Sequence, residues 1–105
     1  MDIEQIKKII EENESKTVEL KTSTAQLHPA FKTVCAFLNN NGGTVLIGVK
    51  NNGDIVGQNV TDSTRREIAN EIKKLEPAAA IDVQYIKTEK NKFIIVIQVE
   101  AGNHV

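Results

Sequence analysis

The run from Pro29 to Lys50 constrains this chain more than any other stretch. Phe31, Val34, Cys35 and Leu38 recur at helical spacing, and Ala30, Ala36 and Phe37 widen the apolar stripe they form. A helix this apolar is expected to be buried on more than one side, with Cys35 as a small core residue. Pro29 suits its first turn, where a missing N–H costs nothing. Asn39-Asn40-Asn41-Gly42-Gly43 then stops it, because Asn and Gly tolerate the left-handed backbone of a helix end. Val45-Leu46-Ile47-Gly48-Val49 follows without polar alternation, the pattern of a strand covered on both faces. A buried helix that passes through a glycine turn into a buried strand calls for an α/β domain.

The flanking segments extend that plan. Ile3, Ile6, Ile9 and Ile10 alternate with charges at helical spacing, which predicts an amphipathic helix over residues 2–12, ended by Asn13-Glu14-Ser15. Thr17 to Lys21 alternates, with Val18 and Leu20 on one face and Thr17, Glu19 and Lys21 on the other, as a half-buried strand does. Thr22 to His28 reads as a polar connector. Asn51-Asn52-Gly53-Asp54 signals a tight hairpin, with Ile55-Val56-Gly57 as the returning strand. A third helix is expected after a cap at Asp62, Ser63 or Thr64. Thr64-Arg65-Arg66-Glu67 has capping-box spacing, Ile68, Ile72 and Leu75 form the buried stripe, and Pro77 closes the helix. Ile81 to Thr88 and Phe93 to Val99 are two more strands joined through Glu89-Lys90-Asn91-Lys92. The second is nearly all apolar and is expected to be central. The fold class is therefore α/β (α+β): a mixed sheet with about three helices.

At 105 residues the chain is sized for a single domain, 1–105, and 40% hydrophobic content with 26% charged residues is globular composition. No stretch approaches the roughly 20 apolar residues of a membrane span, and the N-terminus lacks a basic-then-apolar leader. A cytoplasmic location is the default expectation. The ending after Glu100 carries no stop signal, which suggests a domain from a longer protein. One cysteine, Cys35, excludes an internal disulfide and an all-cysteine metal site. Aromatic residues make up only 4%, so Phe31, Phe37, Phe93 and Tyr85 are the only candidates for stacking on bases.

The net charge of −1 conceals a segregation. Residues 21–50 carry Lys21, Lys32 and Lys50 and no acid, while residues 1–20 are predominantly acidic. The basic run presents either a weak positive face or a buried unit with incidental lysines. Arg65 and Arg66 fall where a helix begins, a place that disfavours cations. They either reach acidic neighbours or face an anion such as nucleic-acid phosphate. Lys73 and Lys74 sit at the helix end, where the dipole alone accounts for them.

Strand alternation puts Glu19 and Lys21 on one face, and Glu14 lies at the entry to that strand. Two carboxylates can hold a hard divalent cation, and a lysine beside them can steady a phosphate. The same residues on a solvated face make only an exposed ion pair, worth under ~1 kcal/mol. Gly42-Gly43 precedes a strand instead of opening a helix, and no Gly-Lys-Ser/Thr follows, so no ATP site is expected. His28 and His104 are too far apart in polar connectors to argue for zinc.

In order, Glu14-Ser15 with Val18-Glu19-Leu20-Lys21, Lys32-Thr33-Val34-Cys35-Ala36-Phe37-Leu38-Asn39, Gly42-Gly43-Thr44-Val45-Leu46-Ile47-Gly48-Val49 and Asn52-Gly53-Asp54-Ile55-Val56-Gly57 together resemble the Schlafen-type, Alba-like DNA-binding domain family. The resemblance runs from about Glu14 to Val99. It implies a mixed-sheet α/β fold and a bacterial protein in which the domain stands at the N-terminus of a transcriptional regulator or helicase-related protein. In animal Schlafen relatives that cleave tRNA or rRNA, two glutamates and a lysine match Glu14, Glu19 and Lys21. Their third acid follows the Ile-Gly-Val strand, where this chain has Lys50-Asn51. Asp54 lies beyond the hairpin turn and is a poor substitute.

The leading expectation is thus a nucleic-acid-binding module, for DNA, with Lys21, Lys50, Arg65 and Arg66 on phosphate and Lys32 adding to them. It needs no cofactor, and it leaves open a homodimer. The alternatives are a metal-dependent RNA endonuclease using Glu14, Glu19 and Lys21 with Mg²⁺ or Mn²⁺ held by Glu14 and Glu19, and a protein-interaction or dimerisation module.

Overall fold

A computed structural model describes residues 1–12, 17–76 and 80–101. Helix α1 spans Ile3–Glu11 and opens on a reciprocal capping box, in which the Asp2 carboxylate accepts from the Gln5 N–H (2.9 Å) and the Gln5 side chain accepts from the Asp2 N–H (2.9 Å). Strand β1 is Val18–Lys21 and helix α2 is Leu27–Leu38. Strand β2 is Gly43–Ile47, helix α3 is Asp62–Lys73, and strands β3 and β4 are Ile81–Lys87 and Phe93–Val99. Short 3₁₀ turns lie at Thr24–Gln26 and Glu89–Asn91.

The sheet is mixed, in the order β1-β2-β4-β3. β1 runs parallel to β2, and β4 is antiparallel to both of its neighbours. The strand with almost no polar residues is therefore interior, as its sequence demands. Alternation along β2 and β4 feeds two cores. Val45, Ile47, Ile95, Ile97 and Val99 face α2 and α3, where they meet Phe31, Val34, Phe37, Leu38 and Ile68. Leu46, Ile94 and Val96 face the other way, with Val18 and Leu20, against Ile6 of α1 and the hairpin residue Val49. β2 is thus covered on both faces, and α1 forms a layer of its own.

Several sequence expectations shift. α2 begins at Leu27, within the stretch read as a connector, so Pro29 stands third in the helix but still in its first turn. The helix is buried along one stripe only: Leu27, Ala30, Phe31, Val34, Phe37 and Leu38. Cys35 is exposed, a correction to its reading as a core residue. Cys35 falls about 40° beyond Phe31, at the margin of the stripe, and its side chain is exposed there. At the far end Asn39 is still right-handed, and the first left-handed residue is Gly42, whose N–H donates to the Phe37 carbonyl (2.9 Å). The cap of α3 is Thr61, one residue before the expected candidates, in a reciprocal pair with Thr64.

The hairpin also differs. Gly53 N–H donates to Lys50 O and Lys50 N–H to Asp54 O, each at 2.9 Å, which makes a three-residue loop with left-handed Gly53 last, not a two-residue turn. Ile55-Val56-Gly57 does not form a returning strand. Ile55 makes a single bridge to Val49, and Val56 and Gly57 then both donate to the Gly48 carbonyl. That swings the chain across the sheet end, where Gln58 pairs with Phe93. The expected helix stop at Asn13-Glu14-Ser15, the closure at Pro77 and the ending beyond Ala101 lie outside the described residues.

Candidate nucleic-acid interface

β1 lies in parallel register with β2, Glu19 beside Val45 and Lys21 beside Ile47. Both side chains therefore project on the α2 side, as the alternation required. There Lys21 Nζ stands 3.6 Å from Glu19 Oε1, with side chains 17% and 29% exposed. The contact is a half-buried ion pair, so part of the charge of Lys21 is already answered. Glu14 lies outside the described residues, as does His104. Among the described residues, no group of three or more His, Cys, Asp or Glu side chains could hold a metal ion.

The position of the third acid is built by the end of β2. Gly48 adopts φ +107°, and a Cβ there would meet the Gly57 backbone and the Phe93 carbonyl at 3.2 Å. The kink lets Gly48 and Val49 both donate to the Lys21 carbonyl (2.8 and 3.1 Å), so β1 and β2 deliver Lys21 and Lys50 to the same end of the sheet. Lys50 is exposed there. Asp54 is turned into its own loop: its N–H donates to Asn52 Oδ1 (2.9 Å) and its Oδ2 accepts from Asn52 Nδ2 (3.2 Å).

The two arginines part ways. With Thr61 as cap, Arg65 is the fourth helical residue, and its guanidinium carbon lies 4.2 Å from the centroid of the Tyr85 ring. This cation–π contact occupies one ring face and the cation together. Burial pushes the Tyr85 hydroxyl above its usual pKa, and Arg65 pulls it partly back. Arg66 is exposed on α3, and Lys32 is exposed on α2. Lys21, Lys32, Arg65 and Arg66 thus share the helical side of the sheet, whereas Lys50 leaves on the hairpin that packs toward α1. His28, read as a connector residue, is exposed in the first turn of α2.

A second cluster of cations escaped the sequence reading. Lys7 of α1, Lys87 at the end of β3 and Lys92 before β4 line one groove of about 640 Å³ at the sheet end. Among its described lining residues Ile3, Ile55 and Val56 are apolar and Glu89 is the one acid. Lys7 has an exposed contact with Glu4 at 3.7 Å, and Lys87 and Lys92 have no ion pair among the described residues. A local signal existed: Lys87, Lys90 and Lys92 fall within six residues. Lys7 joins them only through the packing of α1 across the sheet, anchored where the Met1 ammonium donates to Gln84 Oε1 of β3 (2.7 Å).

No described helix is long and apolar enough to cross a membrane. The family model for Schlafen, AlbA_2 matches residues 14–105. No curated protein matches the chain.

Proposed function

The chain belongs to the Schlafen, AlbA_2 family, and from that premise we propose that it is a nucleic-acid-binding domain that grips the phosphate backbone of DNA. The observation that carries the reading at the residue level is the convergence of Lys7, Lys87 and Lys92 on one groove. Ammonium groups around an open channel contact phosphates without reading bases. Lys50 leaves the same end of the sheet and extends the track. Lys32 and Arg66 offer a second set of contacts on the helical side, while Lys21 and Arg65 serve chiefly as structural cations. We assign this domain to a bacterial transcriptional regulator of which it forms the N-terminal part.

Fluorescence anisotropy with labelled duplex and single-stranded DNA at two salt concentrations tests the proposal. Binding at low salt that falls steeply as salt rises is the expected result. The absence of binding at low salt to either form rejects it.

A metal-dependent RNA endonuclease is the second reading, favoured by the meeting of Glu19 and Lys21 on one strand face. It predicts cleavage of structured RNA only with Mg²⁺ or Mn²⁺, abolished in Glu19→Gln. Intact RNA after incubation with either metal removes it.

A further inference from the structure

The sheet ends on β3, and the hydrogen bonds at its two ends reveal which of its backbone groups face outward. Glu100 N–H donates to Ala80 O (2.9 Å), and Thr88 N–H donates to Lys92 O (2.7 Å). The ladder between them pairs Ile81 with Val99 through Lys87 with Phe93. In an antiparallel pair, bonded and non-bonded positions alternate, so the even-numbered residues of β3 bond to β4. The backbone N–H and C=O of Ile81, Val83, Tyr85 and Lys87 point away from the sheet. Among the described residues, none of these groups finds a partner on that side. The edge is seven residues long, with no proline and no bulge, and its two charged residues, Asp82 and Lys87, stand toward its ends and leave Val83, Gln84, Tyr85 and Ile86 uncharged between them. The opposite edge, β1, is only four residues long, and its Glu19 and Leu20 make further contacts.

We propose that β3 pairs antiparallel with β3 of a second copy of this chain, about a two-fold axis at Gln84, joining two sheets into one. This register uses every outward N–H and C=O of the strand. It sets Val83 opposite Tyr85 of the second copy, a β-branched residue against an aromatic one, the kind of cross-strand pair that stabilises sheets. Ile81 lies opposite Lys87, and Asp82 opposite Ile86, so no like charges face each other. Only Gln84 meets its own copy; its side chain is neutral, and each copy brings to the axis the Met1 ammonium that donates to Gln84 Oε1 (2.7 Å). An axis one residue either way breaks this fit: centred on Val83 it leaves the groups of Lys87 without a partner inside the strand, and centred on Tyr85 those of Ile81.

The register is testable without nucleic acid, so its failure is separate from failure of the DNA-binding proposal. Gln84 is a non-hydrogen-bonded pair, with Cα atoms ~4.5 Å apart, inside the range a disulfide spans. In a Cys35→Ser background, Gln84→Cys is expected to give a covalent dimer on mild oxidation. Asp82→Cys, displaced from its own copy along the strand, is expected to form no covalent dimer under the same oxidation. Analytical ultracentrifugation supplies an independent reading. Ile81→Lys sets a lysine against Lys87 twice per dimer and is expected to weaken association about tenfold, and Ile81→Lys with Lys87→Glu is expected to recover it. A chain that stays monomeric at all concentrations overturns the proposal. So does a dimer indifferent to Ile81→Lys, or one that cross-links equally well through position 82.

Discussion

Arg65 illustrates how a single residue's role depends on where its helix starts. A cap at Asp62 or later would place the guanidinium in the first turn, against the macrodipole and in need of an anion. Thr61 is the cap instead, and the ring of Tyr85 supplies the partner at 4.2 Å. Arg65→Ala is expected to cost about 0.5–1 kcal/mol of stability, read from urea denaturation. The same substitution removes the one influence that lowers the Tyr85 pKa, so the hydroxyl should titrate still higher in an absorbance titration. The folded state holds the Tyr85 proton more tightly than the unfolded chain, whose reference value is 10.0. Its contribution to stability is therefore complete below that value and is lost as pH climbs through the folded pKa. Unfolding midpoints measured from neutral to strongly alkaline pH should show that decline setting in near the unfolded value of 10.0, and in Arg65→Ala its upper end should move to higher pH.

Among the elements, the junction after β2 depends most sharply on one position. Gly48 holds φ +107° with the Gly57 backbone and the Phe93 carbonyl 3.2 Å from any added Cβ. Gly48→Ala should cost about 2 kcal/mol from the backbone conformation alone, and more where the close carbonyl must yield. Thermal denaturation measures the loss, and hydrogen exchange at Val56 and Gly57, which donate to the Gly48 carbonyl, should rise in step. Much of this architecture is legible in the sequence because periodicity is local. The apolar run of β2 and the stripe of α2 announce burial, and the near-continuous apolar β4 announces its interior place. What periodicity does not carry is the direction of a chain after a turn. Ile55-Val56-Gly57 has strand composition, yet its backbone donors are drawn to one carbonyl and the segment departs for β4 after a single bridge. Cys35 fails for a related reason: the sequence shows that a helix flank is apolar, not that a neighbour will cover it.

For the whole molecule, the question is which side meets nucleic acid, because the fold distributes its cations over both. The acid-free run from Lys21 to Lys50 suggested one face, but three-dimensional packing divides it. Lys21 is tied to Glu19, Lys32 rides on α2, and Lys50 leaves toward the other layer. The groove of Lys7, Lys87 and Lys92 draws on both ends of the chain, so no window of sequence displays it. Salt dependence distinguishes the two sides. If Lys87 and Lys92 each neutralise a phosphate, replacing both with alanine should reduce the slope of log K against log salt by roughly 2 and weaken binding across sequences alike. Arg66→Ala, a single contact on the opposite layer, should lower that slope by less, roughly 1 at most. The reverse pattern, a slope that falls with Arg66 and ignores Lys87 and Lys92, would move the interface to the α2 and α3 side. Lys87 stands on β3 itself, so a pair of copies joined there brings the groove of each copy beside the seam. A dimer held through β3 would then present two tracks at once. Binding to a long duplex should exceed binding to one that spans a single groove, and Ile81→Lys should remove that advantage while leaving the short duplex bound as before.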